Sequence, residues 1–225
     1  MNKLILLALF VASMILMSFN FNKKRKVIFF GDSVTQMGAN PGGYIRLMEE
    51  LLVKEGVADQ YELVGAGIGG NKVTDLYLRM ENDVLNKSPE IVVIYIGIND
   101  VWHKRTHGTG TDYPKFAQFY EAIVKKLQTA GIKVVLSTPS VIGERYDQSN
   151  EQDGELNMYS NWIRNFAKNN GLPLVDLRAA FTGYETANNP ANEEKGILTL
   201  DRVHLNAKGN QFVAEEFWKV LNTVK

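Results

Sequence analysis

Five short apolar runs alternate with amphipathic stretches along the chain, and this alternation constrains the fold more than any other feature. Ile91 to Ile96 is the clearest run, six apolar residues in a row closed by Gly97. A run this short, bounded by a turn residue, reads as a strand buried on both faces. Val27 to Phe30 closed by Gly31, Tyr61 to Val64 entering a glycine cluster, Ile132 to Leu136, and Leu172 to Leu177 interrupted by Pro173 read the same way. Between them the apolar period lengthens to that of a helix. Ile45, Leu47, Met48, Leu51 and Leu52 predict a helix over 41–55, ended by Gly56. Val73, Leu76, Tyr77, Met80 and Val84 predict one over 73–85, and Phe116, Phe119, Tyr120, Ile123, Val124 and Leu127 one over 116–127, capped by Gly131. Two more are expected over 156–168 and 206–220. Such alternation specifies an α/β protein with a five-stranded parallel sheet between two helical layers. Ligand sites of these sheets form at the carboxyl ends of the strands.

Composition narrows the function classes. The 225 residues are 45% apolar and 22% charged, an ordinary globular balance. The absence of cysteine excludes a disulfide framework, a thiolate zinc site, a cysteine nucleophile and a lipid-anchored N-terminal Cys. The net charge of zero is uneven. Lys3, Lys23, Lys24, Arg25 and Lys26 stand in the first 26 residues with no acid. The remainder therefore carries 20 basic against 25 acidic residues, a poor balance for binding nucleic acid.

Lys3 followed by an apolar run from Leu4 to Phe19, broken only by Ser13 and Ser18, reads as a signal peptide. The run is short for a membrane span. The basic cluster at 23–26 and the poor cleavage site leave an uncleaved anchor as the alternative. Residues 1–22 are assigned to this leader and 23–225 to one domain, since no linker or repeat divides them. The protein is expected to be exported, periplasmic or secreted, without a stable membrane span once the leader is removed.

Four segments at the expected strand ends carry chemistry: Gly31-Asp32-Ser33-Val34-Thr35-Gln36, Gly65-Ala66-Gly67-Ile68-Gly69-Gly70-Asn71, Gly97-Ile98-Asn99-Asp100 and Asp201-Arg202-Val203-His204-Leu205. Ser33 lies where the first strand opens into a turn. A hydroxyl nucleophile needs a base within hydrogen-bond reach and an acid to orient that base. His204 is the candidate base. Asp201, three residues earlier, can reach one imidazole nitrogen across a tight turn while the other faces Ser33. Asp32 and Asp100 are expected to be structural, accepting from nearby backbone N–H groups.

Taken together and in order, the four segments resemble the SGNH hydrolases, also called GDSL-type esterases and lipases, from Val27 to Val220. The resemblance implies a flavodoxin-like three-layer sheet and ester hydrolysis without cofactor or metal. It places an oxyanion hole at the backbone N–H groups of Ser33 and Gly70 and the side-chain amide of Asn99. Gly67 and Gly69 compete with Gly70 for the donor role.

Other readings fit less well. Gly65 to Gly70 matches a dinucleotide-binding glycine pattern, but Glu90 falls before the next strand and no acid ends it. His103 and His107 have a helical metal-ligand spacing, yet Gly108, Gly110, Lys104 and Arg105 favour a solvated loop. Thr35 stands where an α/β-hydrolase elbow requires glycine. A carbohydrate-binding module on an inactive hydrolase fold would lack Ser33, Asp201 or His204, and all are present.

The expected rim loops are 101–113, 140–154 and 182–195, which are polar and carry Trp102, Tyr113, Tyr146 and Tyr184. Polar groups with scattered aromatic rings suit a sugar better than a fatty chain. The expected substrate is a short acyl ester, acetyl above all, on carbohydrate, with Trp102 and His103 as substrate contacts. The alternative is lysophospholipase or thioesterase activity on longer chains.

Overall fold

The computed structural model describes residues 24–225. The leader assigned to residues 1–22 lies outside the described residues. Five strands form one sheet in the order β2-β1-β3-β4-β5: β1 (Arg25–Gly31), β2 (Tyr61–Gly67), β3 (Ile91–Tyr95), β4 (Lys133–Ser137) and β5 (Leu174–Val175). Every pairing is parallel. Eight α-helices stand among the described residues: α1 (Ser33–Gly38), α2 (Tyr44–Lys54), α3 (Val73–Asp83), α4 (Ile98–Thr106), α5 (Tyr113–Thr129), α6 (Asp153–Asn170), α7 (Leu177–Asn188) and α8 (Ala207–Leu221). This is the α/β class and strand number expected from the sequence.

The continuous apolar runs are explained by two-sided burial. Val27 to Phe30 in β1 and Ile91 to Ile94 in β3 are wholly inaccessible to solvent. On one face Phe29 meets Tyr44 of α2 and Phe217 of α8 edge-on, at 5.6 and 5.5 Å between ring centroids. On the other, α3 packs against α5, and Phe116 and Tyr120 of α5 meet Tyr159 and Trp162 of α6.

Three helices were not legible. α1 has six residues and no apolar period; it starts because the Asp32 side chain accepts the N–H of Val34 at 3.0 Å. α4 buries Asn99 and Asp100 beside Ile98 and Val101. α7 buries Arg178 and Glu185 beside Leu177 and Phe181, so polar residues occupy half of its inward stripe. The expected rim loops 101–113 and 182–195 therefore begin as helices. His103 sits on α4 rather than in a solvated loop.

The fifth strand shrinks from the expected 172–177 to two residues. Asp176 already caps α7, accepting from Ala179 at 3.2 Å. β2 instead runs past Val64 to Gly67, in register with Gly31. Its glycines are required there: a Cβ on Gly67 would stand 2.1 Å from the backbone nitrogen of Gln36. No helix of the described residues is long and apolar enough to cross a membrane.

Candidate active site

β1 ends at Gly31, and the Asp32 cap turns the chain so that Ser33 opens α1 at the carboxyl edge of the sheet. The partner segment comes from the far end of the chain. Thr199 and Leu205 bridge, and Leu200 donates to the carbonyl of His204 at 2.7 Å, closing a tight hairpin. Arg202 occupies its turn in the left-handed region (φ +88°). Within that turn, Asp201 Oδ1 accepts the backbone N–H groups of His204 and Val203 at 2.8 and 3.2 Å. Asp201 Oδ2 lies 2.7 Å from His204 Nδ1, and His204 Nε2 lies 2.9 Å from Ser33 Oγ. Burial alone would raise the Asp201 carboxyl. The His204 ring and the two N–H groups outweigh that and hold it below its ordinary value. Half of the Asp201 side chain is exposed and a fifth of His204.

Two backbone donors in these segments are unengaged. Among the described residues the N–H groups of Ser33 and Gly70 have no acceptor within the protein. Of the three glycines, Gly69 is engaged, donating to Gln36 Oε1 at 2.9 Å, and Gly67 belongs to β2. Gly70 adopts a φ of +76°, open to glycine at little cost. Asn99, buried in the first turn of α4, donates one amide hydrogen to the carbonyl of Asn71 at 3.0 Å. The second hydrogen of that amide remains for a ligand. A serine, a histidine held in one tautomer by a carboxylate, and such donors can together perform acyl transfer.

Comparison with known proteins agrees with the geometry. The model of the GDSL-like lipase/acylhydrolase family matches residues 29–212. The chain belongs to this family. It is accordingly a carboxylic ester hydrolase. A solved acetyl xylan esterase is 59% identical, with a TM-score of 0.85 over 88% of this chain and all of that one. An acetylxylan esterase of Geobacillus stearothermophilus is 31% identical over 210 residues, 85% of this chain and 91% of that protein. Solved variants of an acetylxylan esterase from that organism match with TM-scores of 0.77 at 25–26% identity, over 88–89% of this chain and 94–95% of theirs. They include catalytic mutants at a serine, an aspartate and a histidine, the aspartate three residues before the histidine.

The other residues of this GDSL-family site divide clearly. The Trp102 ring stands 6.2 Å from the His204 ring, and His103 lies beside Gly70, so both border the centre. His103 is held below the ordinary imidazole value by burial, by His107 4.4 Å away between ring centroids, and by Lys72. Among the described residues no three His, Asp or Glu side chains converge as metal ligands. Tyr113 and Tyr184 are spent on packing, against Tyr159 and Phe212. Asp32 and Asp100 lie buried beneath the site as backbone acceptors, Asp100 taking the Val73 N–H at 3.2 Å. Burial pushes Asp32 up to about 7, reinforced by Asp100, and Asp100 up to about 6.

Sequence reasoning missed Arg79. From α3 its guanidinium donates to the carbonyls of Gly31 and Ala66 at 2.7 and 3.0 Å and to Asn71 Oδ1 at 2.7 Å. It also stacks 4.5 Å over the Phe30 ring. One side chain thus ties the ends of β1 and β2 to the loop that follows Gly70. Nothing in the sequence distinguishes it from an exposed helical arginine.

Proposed function

We propose that this protein removes acetyl groups from carbohydrate, of the xylan class, by way of an acyl-serine intermediate. One observation carries the reading: the unbroken hydrogen-bonded chain from Asp201 through His204 to Ser33. Ser33 Oγ attacks the ester carbonyl as its proton passes to His204 Nε2. Asp201 holds the imidazole through Nδ1 and stabilises the imidazolium that forms. The oxyanion of the tetrahedral intermediate accepts from the Ser33 and Gly70 N–H groups and the Asn99 amide. Collapse breaks the bond to the sugar oxygen, which leaves with the proton from His204. Water, deprotonated by the same nitrogen, then attacks the acyl-serine, and its collapse releases acetate and restores Ser33.

The similarity to acetyl xylan esterases supports the substrate class. The catalytic serine, aspartate and histidine variants of the Geobacillus enzyme, with the aspartate three residues before the histidine as in Asp201 and His204, support the three roles. In this reading Trp102 stacks on a sugar ring and His103 touches the acyl or sugar portion, which their positions beside His204 and Gly70 support. The leader directs export, and residues 23–225 form a single hydrolase domain acting outside the cytoplasm. A series of nitrophenyl esters of increasing chain length tests the acyl preference. The expected kcat/KM peaks at two carbons. A peak at eight carbons or beyond would overturn the acetyl assignment in favour of lipid-type substrates.

A further inference from the structure

The hairpin that presents Asp201 and His204 lies in a stretch without regular secondary structure between α7 and α8. Its tip is exposed, and its turn passes through a left-handed arginine. What fixes it lies at its base. Glu144, wholly buried, accepts three consecutive backbone N–H groups: Ile197 at 2.8 Å on Oε2, and Leu198 at 2.6 Å and Thr199 at 2.8 Å on Oε1. These residues lead directly into the hairpin. Neighbouring backbone bonds fasten the same segment, from Gly143 N to Arg202 O at 2.8 Å and from Glu144 N to Glu194 O at 2.9 Å. The Asn189 side chain holds the Glu144 carbonyl at 2.8 Å.

The carboxylate has no ion-pair partner among the described residues. The nearby Arg178 pairs with Asp153 at 2.6 Å. The buried charge of Glu144 is therefore answered by the three amide dipoles of the hairpin base, and charge-assisted bonds of this kind are the strong ones. A buried charge with a single set of donors tolerates little displacement, because leaving it unpaired is costly.

The geometry points to Glu144 as a positioning residue: its carboxylate sets the hairpin base so that His204 Nε2 meets Ser33 Oγ. This rests on the triad reading given above. The side chain does not touch the reacting atoms; it acts through the backbone that carries them.

Glu144→Gln keeps the shape and removes the charge and one acceptor oxygen. For hydrolysis of p-nitrophenyl acetate, kcat is expected to fall about 10–100-fold with KM little changed, as for a small misplacement of a catalytic group. The low-field proton resonance of the Asp201–His204 hydrogen bond should broaden or vanish. Val124→Ala, a cavity variant in the core of α5, should lower the melting temperature while leaving kcat and that resonance intact. In the wild-type protein the amides of Ile197, Leu198 and Thr199 should resist hydrogen exchange as strongly as those of β3. A Gln variant that loses only thermal stability, with kcat and the resonance unmoved, would overturn the proposal. So would fast exchange at the three amides, a result that does not depend on any variant folding. A wild-type protein with no such resonance and no reactive Ser33 would instead remove the triad reading, and this proposal with it.

Discussion

At the scale of single residues, the proposed mechanism separates the site into groups that react and groups that hold. The sequence singled out Ser33, His204 and Asp201 by residue type and by a three-residue spacing that fits one turn, and the fold brings the three side chains together. Arg79 and Glu144 could not, since an arginine and a glutamate away from the four segments look like solvated surface until the fold surrounds them. Asp201→Asn keeps the shape of the turn but presents the wrong hydrogen-bonding partner to His204 Nδ1. In steady-state kinetics kcat is expected to fall by about 10⁴, as for loss of the tautomer-holding acid in a serine protease. Near-full turnover in that variant would transfer the role to another acid, with Asp32 the first to test.

At the scale of elements, the strands and long helices were legible because their apolar periods are unbroken, while α1, α4 and α7 were hidden for a shared reason. Each carries polar groups on its buried side: Thr35 in α1, Asn99 and Asp100 in α4, Arg178 and Glu185 in α7. Two of them, α1 and α4, directly present Ser33 and Asn99, so the periodicity fails where the site is built. Arg79 shows how α3 serves the same end, by fastening β1, β2 and the Gly70 loop from behind. Arg79→Met retains the stem over Phe30 and loses every polar bond. Its kcat on p-nitrophenyl acetate should drop about 10–100-fold through misplacement of the proposed oxyanion donors. Its melting temperature should fall too. Unchanged kinetics with a lowered melting temperature would restrict Arg79 to a structural role.

At the scale of the whole molecule, burial of acids makes stability depend on pH. Burial pushes Glu185 up to about 8 from its ordinary 4.5, with Glu144 and Asp153 reinforcing the rise against Arg178, and its Oε1 has no partner. Asp32 and Asp100 are raised in the same direction. A carboxyl whose folded pKa is raised contributes fully below the unfolded value, and that contribution is lost as pH rises toward the folded one. For Glu185 the window runs from 4.5 to about 8. Glu185→Gln should leave stability near pH 4 unchanged and raise it at pH 8, because the amide carries no charge for burial to penalise. Denaturant melts at the two pH values read this directly. The same global packing brings Ser33 within 2.9 Å of a histidine 171 positions away, and the proposed activity stands on that convergence. Treatment with an alkyl fluorophosphonate, followed by intact mass and peptide mapping, tests it most directly. One adduct per chain is expected, on Ser33, with esterase activity lost in step and no adduct or turnover in Ser33→Ala. An adduct on another residue, or undiminished turnover by Ser33→Ala, would contradict it.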